Sequence, residues 1–427
     1  MTSELGTDDS RRRASRPGRY SCPVTRIESS GSLVRAEIDE AALRANAETL
    51  AGRLSPARLK CIVKANAYGH GIDIVAGSLF AAGWREFGVA TIPEALALRE
   101  ILGESAVISA WLHGPETDFA PAVGAGIEIG VSTLACLDSV RDAARRAGRG
   151  ARVHLKVDSG LGRNGFSPAD FDDALHRLEE IAAGPVPGAS GAPGASSPTG
   201  IEIVGIMSHF AVADEPERAE TAEQVAVFDS ARRRLRAVLT AASGRLGDPD
   251  RLDIHIANSP AALTLDPLPG TSARVGLALY GLSPLEGRTP ADLGLRPVMR
   301  LVSEVVNLKH VPAGHGASYG LTYTTEHDTR FALVPGGYGD GIPRAASNRA
   351  EVAIRGRRYP VVGRIAMDQM VIDVGEGAVD LGDEVVILGP GGPSADEWAT
   401  WSDTINYEIV TRISARVDRT PLPPGTR

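Results

Sequence analysis

Cysteine is scarce. Cys22, Cys61 and Cys136 form an odd, scattered set without metal-ligand spacing, and Cys61 lies inside an apolar run where a free thiol is commonplace. That excludes a cysteine-built metal centre and points to a reducing, cytoplasmic setting. Positive charge is also in short supply: 45 Lys and Arg against 53 Asp and Glu leave a net charge of -8, which favours solubility and argues against a broad nucleic-acid face. No run reaches the roughly 18 apolar residues of a membrane span, and the N-terminal arginines have no apolar signal core behind them. The expectation is a chain neither exported nor anchored. Aromatics make up only 5%, whereas 48 Gly and 28 Pro indicate many turns and a core of small residues.

At 427 residues there is room for a barrel of about 250 residues and a second domain. Residues 1–32 are polar and basic, with Arg11-Arg12-Arg13, and read as a disordered tail. From Leu33 the pattern alternates. After a strand-like stretch from Leu33 to Ile38, Asp39 is placed to cap a helix whose Leu43, Ala47, Leu50 and Leu54 share one face. Eight apolar runs of strand length follow: Cys61–Val63, Phe87–Ala90, Val107–Trp111, Ile127–Gly130, Val153–Val157, Ile203–Met207, Leu252–Ile256 and Arg274–Gly276. Helical patterns such as Ala169–Ile181 and Ala219–Leu239 separate most of them, so the parsimonious layout is a TIM-like (β/α)8 barrel. A doubly wound open sheet is the alternative. The barrel is assigned to 33–285, with a flexible insertion at 183–200 rich in Gly, Ala, Pro and Ser. After Pro284 the texture changes to short strand-like runs with Gly turns, predicting a mostly-β domain over 286–427.

Barrels of this kind assemble active sites where strands end, at the C-terminal rim. Lys64 follows the first run, Lys156 and Arg163 attend the fifth, His209 the sixth, Asn258-Ser259 the seventh, and Arg274 to Leu277 the eighth. A lysine at such a rim, partly desolvated, loses proton affinity and can attack an aldehyde. Taken alone, Lys64 reads equally as a rim lysine, Tyr68 and Tyr407 as packing tyrosines, and Ser259 as a helix cap.

Taken together, the segments Val63-Lys64-Ala65-Asn66-Ala67-Tyr68-Gly69-His70-Gly71, Lys156 to Arg163, Met207 to Phe210, Asn258-Ser259, Arg274 to Leu277, Ser318-Tyr319-Gly320, Gly337 to Gly341, Gly363 to Gln369 and Thr404 to Glu408 resemble the alanine racemase family. The resemblance runs from about Leu33 to the C-terminus. It implies a pyridoxal phosphate (PLP) enzyme that interconverts L- and D-alanine, supplying D-alanine for peptidoglycan. Lys64 would hold PLP covalently; Tyr68, Ser259, Tyr407 and the backbone of Gly276 and Leu277 would bind its phosphate, with Asn258 alongside. Arg274 would face the pyridine nitrogen, supported by His209. Because arginine only donates, that nitrogen stays unprotonated, which suits reprotonation better than transamination or decarboxylation.

Racemisation needs a base on each face of the reacting carbon, and the resemblance makes Tyr319 the second, contributed with Met367 across a homodimer interface. A tyrosine serves as a base only where cations such as Arg274, through His209, favour its phenolate. Arg163 and the Met367 backbone would bind the substrate carboxylate, Tyr338 and Asp368 would border the entrance, and carbamylated Lys156 would position Arg163. A racemase of broader range, a decarboxylase on a related barrel and a non-catalytic PLP-binding protein are the alternatives. Arg274 argues against the second, and the domain carrying Tyr319 against the third.

Overall fold

The computed structural model describes residues 32–184 and 200–422. The stretch 1–31, most of the 183–200 insertion and Cys22 lie outside the described residues. The first elements among the described residues are a strand, β1 (Arg35–Ile38), and a helix, Glu40–Leu54. Asp39 caps that helix, its carboxylate accepting the Ala42 N–H at 2.8 Å, and Leu43, Ala47, Leu50 and Leu54 are all buried.

Eight parallel strands then follow, each matching one apolar run: β2 (Arg58–Ile62), β3 (Glu86–Val89), β4 (Val107–Ala110), β5 (Glu128–Val131), β6 (Ala151–Lys156), β7 (Ile201–Met207), β8 (Asp253–His255) and β9 (Ser272–Val275). Their order, β8-β7-β6-β5-β4-β3-β2-β9, is that of a barrel opened between its seventh and eighth strands. There the gap is bridged by the Arg274 N–H, which donates to the Ala257 carbonyl at 2.9 Å. Helices between the strands cover the outside, so both faces of the strands are buried and the strands read as apolar runs rather than alternations. Gly88 and Gly130 leave room for Trp111: a Cβ on Gly88 would come within 2.8 Å of its indole ring, and one on Gly130 within 2.7 Å of its Cβ.

The second sheet has nine strands and is antiparallel apart from one pair. The structure differs here from the partition read from sequence. β1, grouped with the barrel at 33–285, lies within this sheet, antiparallel to 299–304 and parallel to 418–421. Its side chains alternate between buried and half-buried, with Ala36 and Ile38 inward, as a strand with one covered face requires.

The first barrel strand leads into an unusual turn. Sequence spacing suggests a Gly-bearing turn and then a helix, but Ala65, Asn66, Ala67 and Tyr68 all adopt left-handed conformations with φ of 52–53°. Each such residue costs about 1–2 kcal/mol, so the segment has to be held in place. Glu94 accepts the Ala65 N–H at 2.7 Å, the Asn66 side chain accepts the Ile72 N–H at 2.8 Å, and His70 Nδ1 donates to the carbonyls of Ala67 and Tyr68.

The N-terminal mouth of the barrel contains a layer of buried charge. Lys60 Nζ lies 2.7 Å from Asp253, 3.4 Å from Glu86 and 4.0 Å from Glu128. Burial opposes ionisation of Glu128, but His154, Lys60 and Arg152 outweigh it and hold its carboxyl at about 2. Because the folded value lies below the unfolded one, the stability this group confers is complete above about pH 4.5 and is lost as pH falls toward 2. Lys60→Met strands these carboxylates, so urea denaturation at pH 7 is expected to show a loss of about 3–5 kcal/mol that shrinks on acidification. An unchanged stability would mean that the layer is not held by the lysine.

Candidate active site

At the opposite mouth, where the strands end, a cavity of about 370 Å³ is lined by Ile62, Lys64, Tyr68, Trp111, Lys156, Arg163, Met207, His209, Asn258, Ser259, Arg274, Gly276, Leu277, Tyr407 and Thr411. The chain thus brings together residues from 62 to 411. Tyr407 and Thr411 reach the cavity on the short helix Asn406–Thr411 of the β domain. Four lining residues are cations and none is a carboxylate.

This imbalance governs the titration of the site. Burial, then Arg163 and Arg274, lower the proton affinity of Lys64 against the opposing pull of Glu94. Burial, Arg274, Arg163 and Lys64 bring Lys156 down to about 8, Asp158 alone resisting. His209 is pushed well below its ordinary range by burial and by the same cations, so it is neutral.

Arg274 is fully desolvated, and burial brings its guanidinium down to about 10. Its terminal nitrogens are committed: Nη1 donates to His255 Nδ1 and to the His255 carbonyl, both at 2.7 Å, and Nη2 donates to the Ser208 carbonyl and, at 3.0 Å, to His209 Nδ1. Among the described residues its Nε–H has no partner, which leaves one donor for a ligand.

The anion side of the cavity is built by small groups and hydroxyls. Ser259 opens the helix Ser259–Thr264, and its Oγ accepts the N–H of Gly276 at 3.1 Å and of Ala278 at 3.4 Å. The Gly276 N–H, expected from resemblance to face a phosphate, therefore turns onto this hydroxyl. Asn258 caps the same helix, accepting the Ala261 N–H at 3.2 Å. Tyr68 packs against Tyr280, ring centroids 4.9 Å apart, and burial raises its phenol; burial and Asp214 push Tyr407 up to about 12, so both tyrosines remain hydroxyl donors.

The other residues named from sequence lie outside this cavity. Tyr319 is 71% exposed, Met367 52% and Tyr338 41%, all on the β domain. The Tyr319 turn rests on the loop leading to Met367, since Ser318 Oγ donates to the Arg364 carbonyl at 2.6 Å. Asp368 is held by Arg416 at 2.8 Å. Trp111, Thr411 and His255 were missed by sequence reasoning. Trp111 ends an apolar run and could have been found as a rim residue.

The alanine racemase N-terminal domain family matches residues 38–284, and the alanine racemase C-terminal domain family matches 298–421. The chain belongs to the alanine racemase family. It is 44% identical over 396 residues to an alanine racemase of Streptomyces coelicolor, covering 90% of this chain and 95% of that one. To an alanine racemase of Mycobacterium tuberculosis it is 39% identical over 399 residues, covering 92% and 97%. Among solved structures, an alanine racemase from D-cycloserine-producing Streptomyces lavendulae superposes with a TM-score of 0.82 at 44% identity, covering 92% of this chain and 98% of that one. One from Bartonella henselae with covalently bound pyridoxal phosphate gives 0.77 at 26% identity, covering 92% and 100%. The family's reaction, interconversion of L- and D-alanine with pyridoxal phosphate, is the activity of this chain.

The residues present fit that cofactor: four cations call for anions, Lys64 is desolvated, and Gly276, having no side chain, lets the Tyr68 hydroxyl stand against it in the cavity lining. A Cβ on Gly276 would sit 2.2 Å from Tyr68 Oη. Overpacking costs about 1–3 kcal/mol, so Gly276→Ala is expected to weaken PLP binding about tenfold or more in a reconstitution titration. Equal affinity would place the cofactor elsewhere.

Proposed function

We propose that Lys64 and Tyr319 are the two bases of this racemase, acting on opposite faces of the substrate α-carbon in a homodimer. In that assembly Tyr319 and Met367 of each subunit complete the cavity of the other. The observation that carries the reading is the cavity at the barrel's C-terminal rim, where a desolvated lysine stands among cations without a carboxylate. Its counterpart is the exposure of Tyr319, Met367 and Tyr338 on the β domain, as side chains that complete a neighbour's site must be.

Lys64 would hold PLP through Nζ, and Tyr68, Ser259, Tyr407 and the main chain of Leu277 would hold its phosphate, with Asn258 and Gly276, whose N–H donates to Ser259 Oγ, alongside. When bound, PLP supplies an electron sink that acidifies the substrate α-carbon. Once the substrate amine has displaced it, Lys64 Nζ would be free to take the α-proton of D-alanine, and Tyr319 Oη would take that of L-alanine; each would return a proton on its own face. The Arg274 Nε–H would face the pyridine nitrogen and, being a donor, would leave that nitrogen without a proton. His209, neutral and accepting from Arg274, passes that bias toward Tyr319. Arg163 and the Met367 N–H bind the substrate carboxylate, with Tyr338 and Asp368 at the entrance. Lys156, brought down to about 8 among cations, has a neutral fraction able to take up carbon dioxide. The carbamate then supplies the negative charge that positions Arg163. We place the enzyme in the cytoplasm, supplying D-alanine for peptidoglycan. Among the described residues no helix is long and apolar enough to cross a membrane.

Mixing two inactive variants, Lys64→Ala and Tyr319→Ala, tests the shared site. Random exchange gives hybrids with one intact site, so activity should return to about a quarter of wild type. No recovery, with exchange of subunits verified, would sink the cross-subunit base. Separately, protein equilibrated with ¹³C-bicarbonate is expected to show a carbamate resonance that disappears in Lys156→Ala; a spectrum without it removes the carbamate.

A further inference from the structure

Arg274 does not stand alone behind the cofactor site. Its Nη1 donates to His255 Nδ1 at 2.7 Å, His255 Nε2 lies 3.0 Å from His154 Nδ1, and His154 Nε2 lies 2.8 Å from Glu128 Oε2. All four groups are buried, and the chain they form runs through the barrel axis from the cofactor mouth to the charge layer at the other end. The protons along it have only one consistent arrangement. A guanidinium donates and cannot accept, so His255 Nδ1 is bare and its proton sits on Nε2. That N–H donates to His154 Nδ1, which places the His154 proton on Nε2, and this N–H donates to Glu128. The carboxylate accepts and ends the series.

From this we propose that Glu128 and His154 are positioning residues for racemisation, fixing the tautomer of His255 so that it receives Arg274 and aims the remaining Nε–H into the cavity. The proposal rests on the role given to Arg274 above and extends it to the far mouth of the barrel. Burial holds His255 neutral, as an acceptor for Arg274 has to be. Glu128 is itself held in orientation, its Oε1 accepting from Arg152 Nε at 3.2 Å and Nη2 at 2.7 Å.

The last contact makes Glu128→Gln an informative change. Arg152 draws the amide oxygen, so the NH₂ faces His154 Nε2. A donor there reverses His154 to the Nδ1–H form, and His255, following suit, turns an N–H against Arg274. Shape and volume are kept while polarity is inverted. The test is a long-range ¹H–¹⁵N spectrum of the histidine rings in the holoenzyme, which has nine histidines, with His154 and His255 assigned by single substitution. Wild type is expected to show both as neutral Nε2–H tautomers. Glu128→Gln is expected to convert His154 to Nδ1–H and to lower kcat by about 10–100-fold with little change in KM. A merely structural role for Glu128 moves stability and leaves the tautomers alone. A wild-type spectrum with either ring as Nδ1–H or as imidazolium overturns the proposal without recourse to any variant, as does Glu128→Gln with unchanged tautomers and kcat. Arg274→Lys separates the two layers of inference. Unchanged kcat there overturns the role of Arg274 and the relay with it, whereas a lowered kcat beside an unaffected Glu128→Gln overturns the relay alone.

Discussion

Four positive side chains in one cavity with no carboxylate among them is the constraint on which the rest of the structure depends. Like charges so placed repel through a medium of low polarity, and a fold tolerates them only when rigid partners hold each one and anions arrive to balance them. The barrel supplies both conditions. Arg274 is locked by carbonyls and imidazoles, and Lys64 leaves a turn pinned by Glu94, Asn66 and His70. Three acids at the opposite mouth, Glu86, Glu128 and Asp253, surround Lys60. The cavity lining itself is thus cationic, while the carboxylates nearest to it, Glu94 and Asp158, stand outside that lining.

The anions proposed above to answer this demand are those of the reaction: a cofactor phosphate and a substrate carboxylate. Desolvation and cationic neighbours also remove the advantage of the protonated form of Lys64, as the role of base proposed for it requires.

Much of the fold was legible in the sequence because parallel strands buried on both faces appear as uninterrupted apolar runs, and all eight runs coincide with barrel strands. The site was legible as far as its residues stand at strand ends: Lys64, Lys156, His209 and Arg274 line one cavity. What could not be read has physical reasons. β1 shows which face it buries but not which sheet it joins, since its partners are set by contacts far along the chain. Ala65-Asn66-Ala67 has the composition of a helix start, and only the surrounding hydrogen bonds reveal the left-handed turn. Lys60, Glu128 and Asp253 read singly as strand-edge charges; their convergence is a product of closure. Tyr319, Met367 and Tyr338 are surface residues within one subunit, so no feature of a single chain joins them to the cavity.

The placement of β1 between 299–304 and 418–421 bears on how the chain is born. The first strand among the described residues is an interior strand of the β-domain sheet, and hundreds of residues separate it from both neighbours. The barrel, whose strands pair mostly with the next in sequence, can assemble first, while β1 keeps one hydrogen-bonding edge unsatisfied until 299–304 is made and the other until 418–421 is made. A chain lacking 418–421 would therefore present β1 as an open edge, the kind of edge on which a second chain can pair.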